Sequence, residues 1–379
     1  MRNRSLIIAM AALALSGGVA RAQIRQIPGN NTAYGTTSAE FLLLSPTARG
    51  AALGNAFSAL ATDVSSLYYN PAGLSQLGHS ELNVSTTSYL AGTKYTWAGI
   101  SMPFASGAKA VGFSVGSFGF SGQPIYTVED PTGASARTYS VAETYFGFTY
   151  SQQFSDRFSA GVTAKYVNDQ LGDVSASAIA VDLGTSFHAT IGGRAIRAAF
   201  TVQNLGSNLQ HGGKGLDATV VREPPTGQVS VPQDAAPASL QAKAWPLPVQ
   251  FRVALAYDAF STPMSRLSVL GEFSQPNNNQ PGFGLGAEYS VQLGTSGLEL
   301  APRMSYTYQP ANSMDAPTST DATYAGFNST LGNGAFGLAY GGGIHYRKGT
   351  RGIGFGVDYA LKNYGPLGNV NVVSFGMSW

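Results

Sequence analysis

From residue 81 to the C-terminus the chain alternates large apolar side chains with small or polar ones. Phe158, Ala160, Val162, Ala164 and Tyr166 alternate with Ser159, Gly161, Thr163 and Lys165. Val249, Phe251, Val253, Leu255 and Tyr257 alternate with Gln250, Arg252, Ala254 and Asp258. Period two is the strand period, because successive side chains of a strand point to opposite faces. The pattern predicts fourteen strands at about 81–89, 94–104, 109–120, 141–153, 157–168, 176–189, 195–204, 249–258, 265–274, 281–291, 297–308, 334–347, 351–362 and 370–379. The polar face is rich in Gly, Ala and Ser and sparsely charged, whereas a soluble sandwich would show Lys and Glu to water. A closed barrel with lipid outside and a confined polar lumen fits this pattern. The fold expected is all-β: a 14-stranded antiparallel transmembrane β-barrel.

The connections agree. Those after even strands span three to six residues, and those after odd strands span four to 44. Outer-membrane barrels have short periplasmic turns and long outer loops. Closure leaves no sheet edge unpaired in lipid. Tyr89, Tyr145, Tyr257, Tyr289, Tyr306, Tyr346 and Tyr359 are the expected interfacial aromatics. The last strand ends Phe375-Gly376-Met377-Ser378-Trp379, with the large side chains on one face. This resembles the terminal signal read by outer-membrane assembly machinery.

Composition narrows the class further. Charged residues are 11% of the chain, against roughly 25% in ordinary soluble domains. No apolar run is long enough for a membrane-spanning helix. There is no Cys, so neither a disulfide framework nor a thiolate metal site is expected. A net charge of +2 without a basic block excludes nucleic acid as a partner. Arg2 and Arg4, the apolar run Leu6 to Leu15 and Ala20-Arg21-Ala22 read as a signal peptide over residues 1–22. The expected location is the bacterial outer membrane, with its lipid as the first partner.

Residues 23–80 precede the barrel of 81–379. Here Ala48, Ala51, Ala52, Leu53, Ala56, Phe57, Ala59 and Leu60 recur at helical spacing, with Pro46 as a candidate first-turn residue. So short a segment cannot bury a core alone, and the lumen is where it can pack. Pro71 biases Asn70 away from helical backbone and fixes a bend. The run Ser38-Ala39-Glu40-Phe41-Leu42, then Ala48-Arg49-Gly50-Ala51-Ala52-Leu53-Gly54-Asn55-Ala56-Phe57, Asp63 and Tyr69-Asn70-Pro71-Ala72-Gly73-Leu74 resembles the start of PorV/PorQ-family outer-membrane proteins. That family is similar to the FadL-type transporters of long-chain fatty acids. The resemblance implies a short helical hatch inside the barrel, with Asn70, Pro71, Ala72, Gly73 and Leu74 as its motif. It also implies a component of type IX secretion that binds exported proteins or secretion machinery. The alternative is a FadL-like channel for long-chain fatty acids or other hydrophobic small molecules.

Other chemistry is sparse. Gly112-Phe113-Ser114-Val115-Gly116 has the hydrolase spacing but lies inside a strand pattern, without the elbow that chemistry needs. Gly332-Asn333-Gly334-Ala335-Phe336-Gly337 precedes a strand rather than a phosphate-binding helix. His79, His188, His211 and His345 lack metal-ligand spacing. No enzyme activity, cofactor or metal is therefore expected. Lys165, Asp182, Arg252, Asp258, Glu272, Glu288, Arg303 and Asp358 are predicted to line the lumen, because a charge is costly on the lipid face. Pro103 and Pro302 are candidate interruptions of strand pairing. Leu240, Trp245 and Leu247, in the long loop 205–248, are candidate exposed docking residues.

Overall fold

A computed structural model describes residues 35–128, 130–220, 235–309, 335–347, 349 and 352–379. The signal peptide read over residues 1–22 lies outside the described residues.

Fourteen strands close into one antiparallel barrel. In chain order they are β1 (Glu81–Ser88), β2 (Lys94–Phe104), β3 (Lys109–Pro124), β4 (Thr138–Ser155), β5 (Phe158–Leu171), β6 (Val174–Ile191) and β7 (Arg194–Gly206). After a two-stranded hairpin, β8 (Asp217–Val220) with β9 (Ala236–Ser239), the wall resumes with β10 (Gln250–Ser261), β11 (Ser265–Pro276) and β12 (Gly282–Gln292). It ends with β13 (Leu298–Gln309), β14 (Ala335–Arg347), β15 (Gly354–Asn363) and β16 (Asn369–Ser378). Each wall strand pairs with its chain neighbour, β7 pairs with β10, and β1 pairs with β16 to close the ring. Ser80 and Trp379 exchange backbone hydrogen bonds of 3.1 and 3.0 Å at the seam. The hairpin was not anticipated in sequence; it stands in the loop between β7 and β10.

The alternation sorts as lipid requires. Leu255, Leu285, Phe355 and Phe375 point outward and are exposed, while Arg252, Glu288, Asp358 and Ser374 from the same strands are buried inside. Phe104, Phe154, Phe158, Phe260, Tyr289, Tyr346 and Trp379 stand outward where strands meet the short turns, forming an aromatic girdle. The short-turn rim is periplasmic in such barrels and the long-loop rim faces out. The apolar skin and closed sheet make this an outer-membrane barrel.

Two expected interfacial tyrosines do not face lipid. Tyr145 is 1% exposed and points into the lumen, where its hydroxyl accepts a 2.8 Å hydrogen bond from Trp97 Nε1. The alternation of β4 sends its neighbour Phe146 outward instead. Tyr89 packs edge-on against Phe118 and Tyr364 at the outer rim, with centroids 5.9 and 5.7 Å away.

The outward face makes a direct prediction. Leu255→Arg, near the middle of β10, places a guanidinium in hydrocarbon. Unfolding from lipid vesicles is expected to show a loss of ~2–4 kcal/mol if the site is at mid-bilayer. An unchanged midpoint would mean that this face does not meet hydrocarbon.

The hatch and the charged lumen as the candidate functional site

The segment before β1 fills the lumen, as a hatch would. It enters near the outer rim, where Ser38 N donates to Pro246 O at 3.0 Å and Asn278 Nδ2 donates to Glu40 Oε1. Phe41 and Leu42 are buried, and the Phe41 ring lies 6.2 Å from that of Tyr145. Helix α1 (Ala48–Leu53) follows, capped by Thr47, whose side chain accepts from Gly50 N. Its Ala48, Ala51 and Ala52 face Ala360, Val370 and Val372 of the wall. The helical spacing ran to Leu60, but the helix stops at Leu53. Gly54 adopts φ 57°, and a Cβ there would lie 2.7 Å from Thr307 Oγ1 and 2.8 Å from Ser305 Oγ. The chain must approach β13 too closely for the helix to continue. Pro46 lies before the cap rather than in the first turn.

The second half runs through α2 (Ser66–Tyr69) into a three-ten turn, Pro71–Gln76. Asn70 sits between them in extended backbone, as Pro71 requires. Its Oδ1 accepts from Ala72 N at 3.1 Å. Its Nδ2 donates to Ser58 O at 3.2 Å and to Thr185 O of β6 at 3.1 Å. One amide thus ties the turn, the first half of the hatch and the wall. Ala72 O accepts from Ser151 Oγ and Ser159 Oγ at 3.2 and 3.1 Å. Gly73 packs on Ala61 O, and Leu74 is fully buried beside Leu67 and Trp97.

Wall glycines make room for this turn. A Cβ on Gly161 would lie 2.5 Å from Pro71 C and O, both rigid backbone atoms. Gly161→Ala is therefore expected to unseat the turn while the barrel still assembles. Limited proteolysis should then cut within residues 66–77 at protease levels that spare the parent chain. Equal resistance would show that the seat is not close-packed.

All eight predicted lumen charges are buried inside the barrel, between 0 and 8% exposed. They form separate groups. Lys165 Nζ lies 2.6 Å from Asp182 Oδ2 and 2.9 Å from Asn204 Oδ1. Arg252 holds Gln250 Oε1 at 2.6 and 2.9 Å and lies 3.7 Å from Glu272, whose other oxygen accepts from Ser58 N of the hatch. Asp258 accepts both amino groups of Arg197 at 3.0 and 3.1 Å. Glu288 accepts from Arg303 at 2.7 Å, and Arg303 also binds Asp358, which meets His345 Nε2 at 3.1 Å.

The hatch supplies the charge that joins this last group. Arg49 donates to both oxygens of Glu288, at 2.8 and 2.7 Å, and also binds Asp63. Burial opposes its charge, but Glu288 and Asp63 hold its pKa well above the usual value. Arg49 and Asp63 were quoted in the sequence motif, but nothing in it names Glu288 as their partner. Arg197, Arg266 and His345 were missed as well. Below this cluster, toward the periplasm, lies a cavity of about 750 Å³ bounded by Arg49, Asp63, Glu81, Glu299, Arg303 and His345, among others.

The outer side of the hatch has the opposite character. Phe41, Tyr68, Tyr95, Trp97 and Tyr145 are at most 2% exposed. Lys165 Nζ lies 5.6 Å from the centroid of the Tyr145 ring and 6.0 Å from that of Tyr68. Tyr68 donates to Leu42 O at 3.0 Å, and burial pushes its pKa up to about 12. Such a packed aromatic cluster departs from the polar lumen expected of a water-filled porin.

Other candidates resolve simply. Ser114 lies inside β3, so it has no strand-turn-helix elbow. Gly332-Asn333-Gly334 lies outside the described residues, and Ala335 begins a strand. Among the described residues, no three His, Asp or Glu side chains are placed to hold a metal. Pro103 pairs with Ala110 in a continuous ladder. At Pro302 the β12–β13 ladder lapses between Glu288↔Arg303 and Val291↔Leu300. Of the loop residues read as exposed, Leu240 is exposed and Trp245 half-buried, but Leu247 is 1% exposed within the lumen's apolar cluster.

The fold is similar to that of the CymD monoaromatic hydrocarbon channel, with a TM-score of 0.51 at 12% identity over 88% of this chain and 96% of that one. A Pseudomonas aeruginosa FadL homologue gives 0.49 at 11% identity, over 88% of this chain and 98% of that one. The Ralstonia pickettii toluene transporter TbuX gives 0.48 at 12%, over 88% of this chain and 97% of that one. No protein-family model matches the chain, and no curated protein matches it in sequence. At these identities the likeness is one of architecture. The chain is a 14-stranded outer-membrane barrel whose lumen is filled by its own N-terminal segment, and its overall fold is similar to that of the CymD channel.

Proposed function

We propose that this barrel is a hatch-gated channel that carries small, largely apolar molecules across the outer membrane. The observation that carries this reading is the cluster of buried aromatic side chains on the outer side of the hatch. Tyr95, Trp97 and Tyr145 are buried together with Phe41, Leu42, Leu67 and Leu74, and Tyr68 lies against them through its bond to Leu42 O. Apolar pockets with a few polar groups are the usual form of small-molecule sites. Lys165 and the Tyr68 hydroxyl are the polar groups here. CymD, whose fold this chain resembles, is a monoaromatic hydrocarbon channel, which points the same way. Asn70, Pro71, Ala72, Gly73 and Leu74 seat the hatch, and of the eight buried charges Glu288 and Glu272 bond it to the wall.

A role in docking exported proteins rests on the sequence resemblance of residues 38–74. The loop geometry adds nothing to it, because Leu247 is spent on the lumen's own packing.

Equilibrium binding of toluene and of a long-chain fatty acid to the detergent-solubilised barrel, followed by Trp97 fluorescence in a Trp245→Phe, Trp379→Phe background, tests the reading. Saturable binding of at least one, weakened in Tyr145→Ala, is expected. Binding of neither ligand would remove the proposed substrate class.

A further inference from the structure

We infer that the hatch opens by pivoting on β3–β6 and parting from β11–β16, along the contact between Arg49 and Glu288. The inference rests on the channel reading and specifies how the hatch is released. Three observations carry it.

The first is the chemistry of the polar contacts on the two sides of the hatch, neutral on one and partly charged on the other. Toward β3–β6 it is wedged by backbone-close packing. Leu67 and Leu74 lie over Gly112, and Pro71 over Gly161 and Gly184, while Ala72 O and Ser75 N bond to Ser151 and Ser159. Opposite, the polar contacts to β11–β16 include charged groups: Arg49 to Glu288 and Ser58 N to Glu272, beside Ala48 N to Ser374 Oγ. Close packing accompanies these bonds too, of Gly54 on β13, Leu53 O on Gly286 and Ala52 on Gly341.

The second is the charge balance across that contact. Breaking a buried ion pair is costly when it strands one partner. Here neither side is stranded. Arg49 keeps Asp63, which belongs to the hatch and travels with it. Glu288 keeps Arg303 at 2.7 Å and Arg266 at 3.6 Å. Glu272 keeps Arg252. The hatch and the wall are each charge-compensated when apart.

The third is space. The cavity lies against this contact, and its lining from the segment before β1 is Thr47, Arg49, Thr62 to Ser65 and His79, with nothing from residues 66–77. Contacts inside the hatch favour motion as one body. Phe57 meets Tyr69 edge-on at 4.9 Å, Arg49 lies 5.1 Å from the Phe57 ring centroid, and Asn70 bonds Ser58 O.

The chain has no Cys, so engineered pairs can be read without background. Ala48→Cys with Ser374→Cys ties the hatch to β16; Ser75→Cys with Ser151→Cys ties it to β4. With each bond verified by mass spectrometry, uptake of labelled toluene is measured in cells carrying each variant. The first lock is expected to abolish uptake until reductant is added, and the second to leave it intact. An intact first lock, or an equal block by both, overturns the pivot. Hydrogen exchange on the unmodified barrel is independent of transport. Amides of 48–63 are expected to exchange roughly tenfold faster than those of 70–76, a difference of ~1.4 kcal/mol in opening free energy. Equal or reversed rates overturn the pivot. Absence of uptake by the unmodified protein, with the exchange difference present, would sink the channel reading and leave the pivot standing.

Discussion

A chain lacking residues 36–77 assembles into a barrel that conducts ions. Nothing in the wall depends on the deleted segment for pairing. β1 begins at Glu81 and is held by β2 on one side and β16 on the other. The buried charges that face the hatch have partners in the wall: Asp182 with Lys165, Glu272 with Arg252, and Glu288 with Arg303. Removing Arg49 and Asp63 together leaves no unpaired ion behind. What disappears is packing in the lumen, where Phe57, Tyr68, Tyr69, Leu53 and Leu60 are fully or almost fully buried. Planar-bilayer recordings should show unitary current steps for the shortened barrel that the full chain lacks. An assembled but silent shortened barrel would mean that the outer loops, not the hatch, close the pore.

The largest single-residue effect on stability is expected at Asp182. Lys165 and Asp182 are 3% and 0% exposed and 2.6 Å apart. Asp182 Oδ1 also accepts Asn204 N at 2.8 Å, and Asn204 returns its own oxygen to Lys165. Asp182→Ala leaves a buried ammonium with one neutral acceptor. Removing one partner of a buried pair costs ~3–5 kcal/mol. The double change Lys165→Met with Asp182→Leu should recover most of that loss, because an apolar pair of similar volume strands no charge. Urea unfolding from lipid vesicles measures both. A loss below about 1 kcal/mol for Asp182→Ala would show that water reaches the pair.

The barrel was legible because lipid imposes a strict rule on each wall strand. One face must be apolar, so alternation marks both the strand and its orientation. β2 was read at 94–104 and spans Lys94–Phe104; β5 was read at 157–168 and runs on to Leu171. The rule weakens where both faces carry aromatics. Tyr145 and Phe146 are adjacent, and residue type alone does not say which meets lipid. Gly116 settles it, since a Cβ there would lie 2.3 Å from the Tyr145 ring, leaving a slot that the inward ring fills. The hatch was legible as a segment and in its bend at Asn70-Pro71, which is local chemistry. Its attachments were not. Arg49 and Glu288 are 239 positions apart, and their meeting is decided by closure of the sheet. The early end of α1 also depends on how closely Gly54 approaches β13. The β8–β9 hairpin escaped notice because its second strand contains Pro237, which reads as loop.

The channel reading is tested most directly by uptake of a labelled monoaromatic hydrocarbon into intact cells. The host should be a bacterium without such a channel of its own, so that its outer membrane is the barrier. Cells displaying the full chain are expected to take up the compound faster than cells without it, with a rate that saturates and that falls in Tyr145→Ala. Equal rates in the two cell types, with the barrel shown to be assembled in the outer membrane, would contradict the account.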